Sequence, residues 1–287
     1  MMGKYQFESG GQHIHCETMG SANSGSAIIF LHGLASNASR WRELITNFDQ
    51  KDKSYLLAMD LRGHGHSMSY QHYRRSDWCN DVRTLVEKLD KPTIIVGHSM
   101  GAQIALDYAT ENPSQLHGLL LIDPVFRQAL TGTLNKVAHF RWLFNAVAYI
   151  LGAFNRLGIH KRRYPYRDLQ KLDQQTRSFL AENPDKGIAD LYMDPYVDLE
   201  FMPVANYLKD LVEVSRKLPS LKPINVPVLV LLSSGASTSN VESNREILSE
   251  IPELEIKTIH ADHWLLTEKP KEARDIIAAW CDKTLAL

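Results

Sequence analysis

The sequence lacks the features that mark several common classes of protein. Its three cysteines, Cys16, Cys79 and Cys281, are widely spaced and show no metal-ligand pattern. No apolar run is long enough to cross a bilayer, and residues 1–8 do not resemble a secretory signal. The net charge is −1, which gives no overall attraction to nucleic acid. We therefore predict a cytoplasmic protein with reduced thiols, no metal site and no nucleic-acid partner.

The composition is that of an ordinary globular protein. Hydrophobic residues make up 44% of the 287 residues and charged residues 23%. A chain of this length can bury a large core as one domain and still carry an inserted subdomain.

Short apolar runs alternate with helical patterns along most of the chain. Two short strands that form a hairpin are predicted at 5–7 and 13–18. A strand buried on both faces is predicted at 27–31. Further strands are predicted at 55–59, 93–96, 116–123, 226–232 and 254–259. Helices are predicted at 40–48, 77–89 with Ser76 as N-cap, 100–108, 241–250 and 271–283. This alternation predicts an α/β fold with a mostly parallel central sheet and helices on both faces.

The alternation is interrupted once, by a long interval between the strands at 116–123 and 226–232. About a hundred residues are too many for an ordinary connection, so the interval must have structure of its own. Its helical patterns are rich in Leu, Phe, Trp and Tyr. We predict a helical cap at 126–218, inserted into a core domain made of 1–125 and 219–287.

The most informative motif is the Gly-x-Ser-x-Gly pentapeptide at 97–101. A β-branched run precedes it and a helix-forming run follows it. A serine in a tight turn between a strand and a helix needs glycines on both sides, because neighbouring backbone passes very close. The turn presents the hydroxyl of Ser99 at the sheet edge and directs the first N–H groups of the helix at the reacting atom.

Four motifs together resemble the α/β-hydrolase superfamily. They are His32-Gly33, the glycine-punctuated loop 60–67, the turn 97–101 and the late Asp262-His263, and they occur in that superfamily's order. The resemblance covers nearly the whole chain outside the cap. It implies that Ser99 is the nucleophile and that the backbone N–H groups of Leu34 and Met100 form the oxyanion hole.

A serine nucleophile needs a base, and the base needs a carboxylate to orient it. Among twelve histidines, His263 is the best candidate, because it follows the last strand and precedes the last helix. The superfamily usually places the acid in the loop after the strand that follows the cap, but the loop 233–240 has no carboxylate. Some members place the acid at the end of the strand that follows the serine helix, and Asp123 lies there. We therefore predict Asp123 as the acid, with Glu242 as the alternative.

Other residues are predicted to support or line the site. His98 is expected to be structural rather than catalytic. Asp60, Arg62 and Asp81 are expected either to be solvated or to support loops. His32 is expected to support the oxyanion loop and is also a candidate substrate contact. The remaining candidates for the substrate pocket are Phe126, Trp142 and Trp264.

The cap is expected to determine the substrate. Its most apolar part, 140–154, predicts an apolar and aromatic pocket for a hydrophobic small molecule. The basic residues 161–163 and Arg167 follow closely. Two interpretations stay open here. In the one we favour, a helix packs over the catalytic cleft and the charged residues that follow it are solvated. In the other, the helix is an interfacial lid whose apolar face rests on lipid.

The residues predict a cofactor-free serine hydrolase acting on an ester, thioester or lactone, with C–C bond hydrolysis as a variant. The placement of Asp123 is also similar to that of cofactor-independent ring-cleaving dioxygenases of the same fold, in which the serine is not acylated. A catalytically idle ligand-binding member is a third possibility. The sequence does not predict the oligomeric state.

Overall fold

The computed structural model describes residues 2–183, 185–192, 194–235 and 239–286. Within this part of the chain, eight strands form one sheet in the order β1-β2-β4-β3-β5-β6-β7-β8. The strands are β1 Gly3–Ser9, β2 Gln12–Met19, β3 Ala27–Leu31, β4 Tyr55–Met59, β5 Thr93–His98, β6 Leu116–Ile122, β7 Val228–Ser233 and β8 Leu254–Ile259.

The sheet is parallel from β4 to β8. The hairpin of β1 and β2 joins it by antiparallel pairing of β2 with β4. The carboxyl ends of β3, β5, β6 and β7 therefore lie along one edge of the sheet, where α/β proteins build their sites.

Helices cover both faces of the sheet. Along β3, Ile28 and Phe30 belong to the hydrophobic cluster on one face, whereas Ile29 and Leu31 belong to the cluster on the other. The core helices are α1 Arg42–Thr46, α2 Arg75–Leu89, α3 Met100–Ala109, α10 Val241–Leu248, α11 Leu265–Glu268 and α12 Pro270–Leu285. The predicted fold class, a mostly parallel sheet between two helical layers, is confirmed.

Helical structure also fills the segment between β6 and β7. The helices there are α4 Gly132–His139, α5 Arg141–Arg156, α6 Leu169–Glu182, α7 Ala189–Tyr192, α8 Pro195–Asp198 and α9 Val204–Val214. Buried polar contacts join α9 to the core: the Tyr73 hydroxyl donates to Asp210 Oδ1 at 3.0 Å, and His64 Nε2 lies 3.1 Å from Asp210 Oδ2. The division of the chain into core and cap at 126–218 stays a prediction.

Two helix starts differ from the sequence prediction. The start of α2 is at Arg75, so Ser76 lies inside the helix and is not its N-cap. The Asp77 carboxylate accepts the backbone N–H of Arg74 at 2.7 Å, which fixes the first turn two residues earlier. The helix predicted at 40–48 begins instead as a 3₁₀ turn, Ala38–Trp41, with the Asn37 side chain accepting the Ser39 N–H.

Candidate active site

Ser99 lies in a strained turn between β5 and α3, with φ of +53°. A Cβ atom added to Gly97 would lie 2.5 Å from the carbonyl oxygen of Gly101, and one added to Gly101 would clash with the backbone of Leu31. Side chains at these two positions would push the turn off the sheet. The two glycines are therefore what allows Ser99 to sit at this point.

His263 bridges Ser99 and Asp123. Its Nε2 lies 3.1 Å from Ser99 Oγ, and its Nδ1 lies 2.5 Å from Asp123 Oδ2. The three residues come from the ends of β5 and β6 and from the loop after β8. This is the arrangement in which a histidine takes a proton from a serine while a carboxylate stabilises the imidazolium. The acid predicted after the earlier strand is thus the one in contact with the histidine.

Ser233, the last residue of β7, holds the second oxygen of Asp123. Its backbone N–H donates to Asp123 Oδ1 at 3.0 Å, and its hydroxyl donates to the same oxygen at 2.9 Å. The sequence prediction did not include Ser233, because the loop 233–240 was considered only as a source of a carboxylate. Positions 236–238 of that loop lie outside the described residues. The signal that could have found Ser233 is a short hydroxyl residue at the end of a strand adjacent to that of Asp123.

The buried carboxylate of Asp123 stays ionised. Burial alone would raise its pKa, but the hydrogen bonds from His263 and Ser233 and the attraction of the imidazolium outweigh it and hold the pKa below its ordinary value. Asp123 also has a positive φ of +42°, which shows that the chain bends sharply where β6 ends. The bend directs the carboxylate back along the sheet edge.

His98 supports His263 from the other side. Its Nε2 donates to the carbonyl oxygen of His263 at 3.1 Å. Burial, with the neighbouring His263 as a second cause, lowers the pKa of His98 to about 3, so the ring is neutral at physiological pH. This contact fixes the backbone of the loop that carries the base.

The predicted oxyanion donors lie beside Ser99. A Cβ added to Gly33 would approach Ser99 Cβ to 3.3 Å, so the segment that leads into Leu34 passes directly over the turn. Met100 is the first residue of α3, where backbone N–H groups have no partner within the helix. The position of both residues fits the expected role, which stays a prediction.

The ring of His32 is buried and hydrogen-bonded through both nitrogens. The ring is fully buried, its Nε2 accepts the Leu61 N–H at 3.0 Å, and its Nδ1 donates to the Gly33 carbonyl at 2.8 Å. Burial, with His64 as a further cause, lowers the pKa of His32 to about 3. With both nitrogens engaged, His32 supports the oxyanion loop, and its candidate role as a substrate contact stays a prediction.

The other predicted pocket residues have three different environments. Trp264 is half-buried, and its ring centroid lies 5.4 Å from that of His263 and 5.5 Å from that of Tyr192. Phe126 is buried in the hydrophobic core near the end of β6. Trp142 is 71% exposed and lines a cavity of about 330 Å³ whose lining includes no triad residue, so the structure does not place it in the catalytic cleft.

The loop-supporting residues are engaged with the protein rather than with solvent. Asp60 is fully buried and accepts the backbone N–H groups of Ala38 and His66 at 2.7 and 2.9 Å. Arg62 donates from Nε to Asp81 Oδ2 at 3.0 Å. These contacts fix the loop 60–67 beside the site and confirm the supporting interpretation.

Replacing Ser233 by Ala is expected to lower kcat by about tenfold, because a hydrogen bond to a charged group contributes about 1.5–3 kcal/mol and the backbone N–H remains. Steady-state kinetics on a soluble ester measures the change. Ser234→Ala is the matched control, since its hydroxyl contacts His260 instead. Equal kinetics in the two variants would show that the Ser233 hydroxyl has no part in holding the acid.

Comparison with known proteins identifies the family of the chain. The sequence model of the family described as serine aminopeptidase, S33, matches residues 22–270. The sn-1-specific diacylglycerol lipase ABHD11 of Mus musculus is 25% identical over 267 residues, covering 88% of this chain and 80% of that protein.

Solved structures are similar over nearly the whole chain. E-2-(acetamidomethylene)succinate hydrolase has a TM-score of 0.67 at 19% identity, covering 98% of this chain and all of that one. Est816, an N-acyl homoserine lactone degrading enzyme, has a TM-score of 0.69 at 19% identity, covering 96% of this chain and 99% of that one. At these identities the likeness shows the shared fold.

Proposed function

The chain belongs to the serine aminopeptidase S33 family of α/β-hydrolases, and from this membership we propose that it hydrolyses carboxylic esters, thioesters or lactones of hydrophobic small molecules. It is an enzyme of the hydrolase class. The observation that carries the proposal is the position of the His263 ring, with one nitrogen at Ser99 Oγ and the other at Asp123 Oδ2.

The reaction proceeds through an acyl-enzyme. Ser99 Oγ attacks the carbonyl carbon while His263 Nε2 takes the hydroxyl proton. The N–H groups of Leu34 and Met100 stabilise the negative oxygen of the tetrahedral intermediate, a contribution of several kcal/mol in such sites. The C–O bond then breaks, and His263 returns the proton to the leaving alcohol. Water, deprotonated by His263, attacks the acyl carbonyl and releases the acid and Ser99.

Asp123 serves both halves of this cycle. It keeps the proton of the neutral imidazole on Nδ1, so that Nε2 faces Ser99 with its lone pair. It also stabilises the imidazolium that forms when Ser99 loses its proton. The two donors of Ser233 support this role, because they keep Asp123 ionised in a buried position.

Preference for a hydrophobic substrate is supported by the aromatic residues beside the base. Trp264 packs edge-on against His263, and Tyr192 of α7 packs against Trp264. Aromatic walls with a few polar groups are typical of sites for small apolar molecules. The lipase activity in the name of the mouse relative is consistent with such a preference.

A panel of p-nitrophenyl esters, lactones and thioesters of graded acyl length tests the proposal. We expect turnover with kcat/KM rising as the acyl chain lengthens from acetate, because each buried CH₂ contributes about 0.8 kcal/mol. Turnover that is absent from the whole panel would contradict the proposal. Oxygen consumption with a hydroxylated heteroaromatic substrate would instead support the dioxygenase alternative.

A further inference from the structure

Helix α5 exposes a long apolar face to solvent. We call this face the α5 stripe; it consists of Phe140, Leu143, Val147, Ile150, Phe154 and Leu157. These residues are spaced alternately by three and four positions, which places them on one side of a helix. All of them are exposed, and the two ends of the stripe are separated by more than four helical turns. Contiguous apolar surface of this kind usually marks a site of interaction.

The stripe is not needed to hold the cap together. Helix α5 packs extensively against α9, and the Ala148 side chain, on the other side of α5, is buried there. The helix thus already buries one apolar face in the protein. Trp142 and Tyr149, both exposed, extend the apolar surface on the outer side. These two side chains combine a large apolar ring with a polar group, as residues at a membrane surface often do.

The surroundings of the stripe are strongly basic. Residues 124–167 contain eight of the 32 lysines and arginines of the chain and none of its 33 aspartates and glutamates. The protein as a whole has a net charge of −1, so positive charge is concentrated in the segment that contains this helix. Within 124–167, the exposed basic side chains are Arg127, Lys136, Arg156, Lys161, Arg162 and Arg163.

Charge and apolarity together identify the occupant of this surface. A second copy of the chain that used the same face would bring basic residues against basic residues, and like charges oppose such a contact. An anionic bilayer offers hydrocarbon to the stripe and negative headgroups to the surrounding lysines and arginines. In the part of the chain that the structure describes, no helix is long and apolar enough to span a membrane. An exposed apolar stripe with basic residues beside it is suited to binding in the plane of the interface.

We propose that the α5 stripe and the basic residues around it form an interfacial surface that binds anionic phospholipid bilayers. The proposal goes beyond the hydrolysis proposed above and does not rest on it, because it uses no residue of the triad. Under this proposal the outer face of α5 rests on lipid, as in the second of the two cap interpretations, whereas the inner face packs on the protein.

Vesicle co-sedimentation tests this surface. The full chain is mixed with vesicles of phosphatidylcholine alone and of phosphatidylcholine with phosphatidylserine. We expect the protein to pellet with the anionic vesicles and to dissociate as the salt concentration rises, because salt screens the charges. The double variant Ile150→Glu/Phe154→Glu should bind at least about tenfold more weakly. Phe179→Glu is the matched control, since Phe179 on α6 is 40% exposed and Phe154 is 46% exposed.

The charge contribution has its own pair of variants. Arg162→Gln/Arg163→Gln should weaken binding to anionic vesicles by about thirtyfold, because each basic residue near such a surface contributes about 1 kcal/mol. Lys217→Gln/Lys222→Gln removes the same charge from exposed positions outside 124–167 and should bind as the wild type does. Circular dichroism of each variant verifies that it is folded.

Three results would overturn the proposal. The first is wild-type protein that stays in the supernatant with anionic vesicles. The second is equal loss of binding in the variants and in their controls. The third is a dimer in vesicle-free solution, detected by sedimentation equilibrium, that Ile150→Glu/Phe154→Glu dissociates, since the stripe would then bind a second copy of the chain.

Discussion

Asp123→Asn is expected to lower kcat by about 10⁴-fold while the protein stays folded. The reason lies in the two donors of Ser233. Their N–H and O–H groups bond one carboxylate oxygen, so the amide oxygen of Asn would take that place and its NH₂ group would face His263 Nδ1. The imidazole would then carry its proton on Nε2 and could not accept the proton of Ser99.

Glu242→Gln is the matched control for this variant. Glu242 is the alternative acid that the sequence offered, and it is exposed in the first turn of α10. We expect its replacement to leave kcat unchanged. Steady-state kinetics of both variants, with thermal unfolding as a check on folding, decides between the two acids. Near-normal activity of Asp123→Asn together with a large loss in Glu242→Gln would move the acid to Glu242.

Ser99→Ala is expected to remove nearly all turnover, about 10⁵- to 10⁶-fold, because the covalent step loses its nucleophile. The variant should fold, since alanine has the same Cβ that serine already holds at a positive φ. Pre-steady-state kinetics with a chromogenic ester measures the burst that accompanies acyl-enzyme formation in the wild type and the absence of this burst in the variant. A variant that retains activity on that ester would contradict a covalent serine mechanism.

This variant also separates the reaction classes. In a ring-cleaving dioxygenase the serine is not acylated, so oxygen consumption would survive in Ser99→Ala. In an idle ligand-binding member the wild type and the variant would show equal, negligible turnover. The acyl-enzyme mechanism predicts turnover in the wild type and its loss in the variant.

The strands at 27–31 and 55–59 were predictable because they are short apolar runs buried on both faces. The run 254–259 also became a strand with the predicted bounds, although only Ile259 of it is buried. Helix starts were less predictable. The first turn of α2 depends on one hydrogen bond from the Arg74 N–H to the Asp77 carboxylate, although Ser76 is a better N-cap than Arg74 by residue type.

The residues of the site also divide into those that the sequence could predict and those that it could not. Ser99, His263 and Asp123 could be identified because each lies at or after the end of a predicted strand, at the same edge of the sheet. Ser233 could not, because its role depends on its position beside Asp123 across the β6–β7 pair. The position of Trp142 depends on the packing of α5 against α9, which residue spacing alone does not specify.

The most direct measurement of the central claim is the rate at which a fluorophosphonate labels the protein, followed by intact-protein mass spectrometry. The probe forms a covalent bond only with a serine whose hydroxyl is activated. We predict one adduct on wild-type protein, located on Ser99 by peptide mapping, much slower labelling of Asp123→Asn, and none of Ser99→Ala. A wild-type protein that stays unlabelled, or Asp123→Asn labelled at the wild-type rate, would contradict a serine activated by His263 and Asp123.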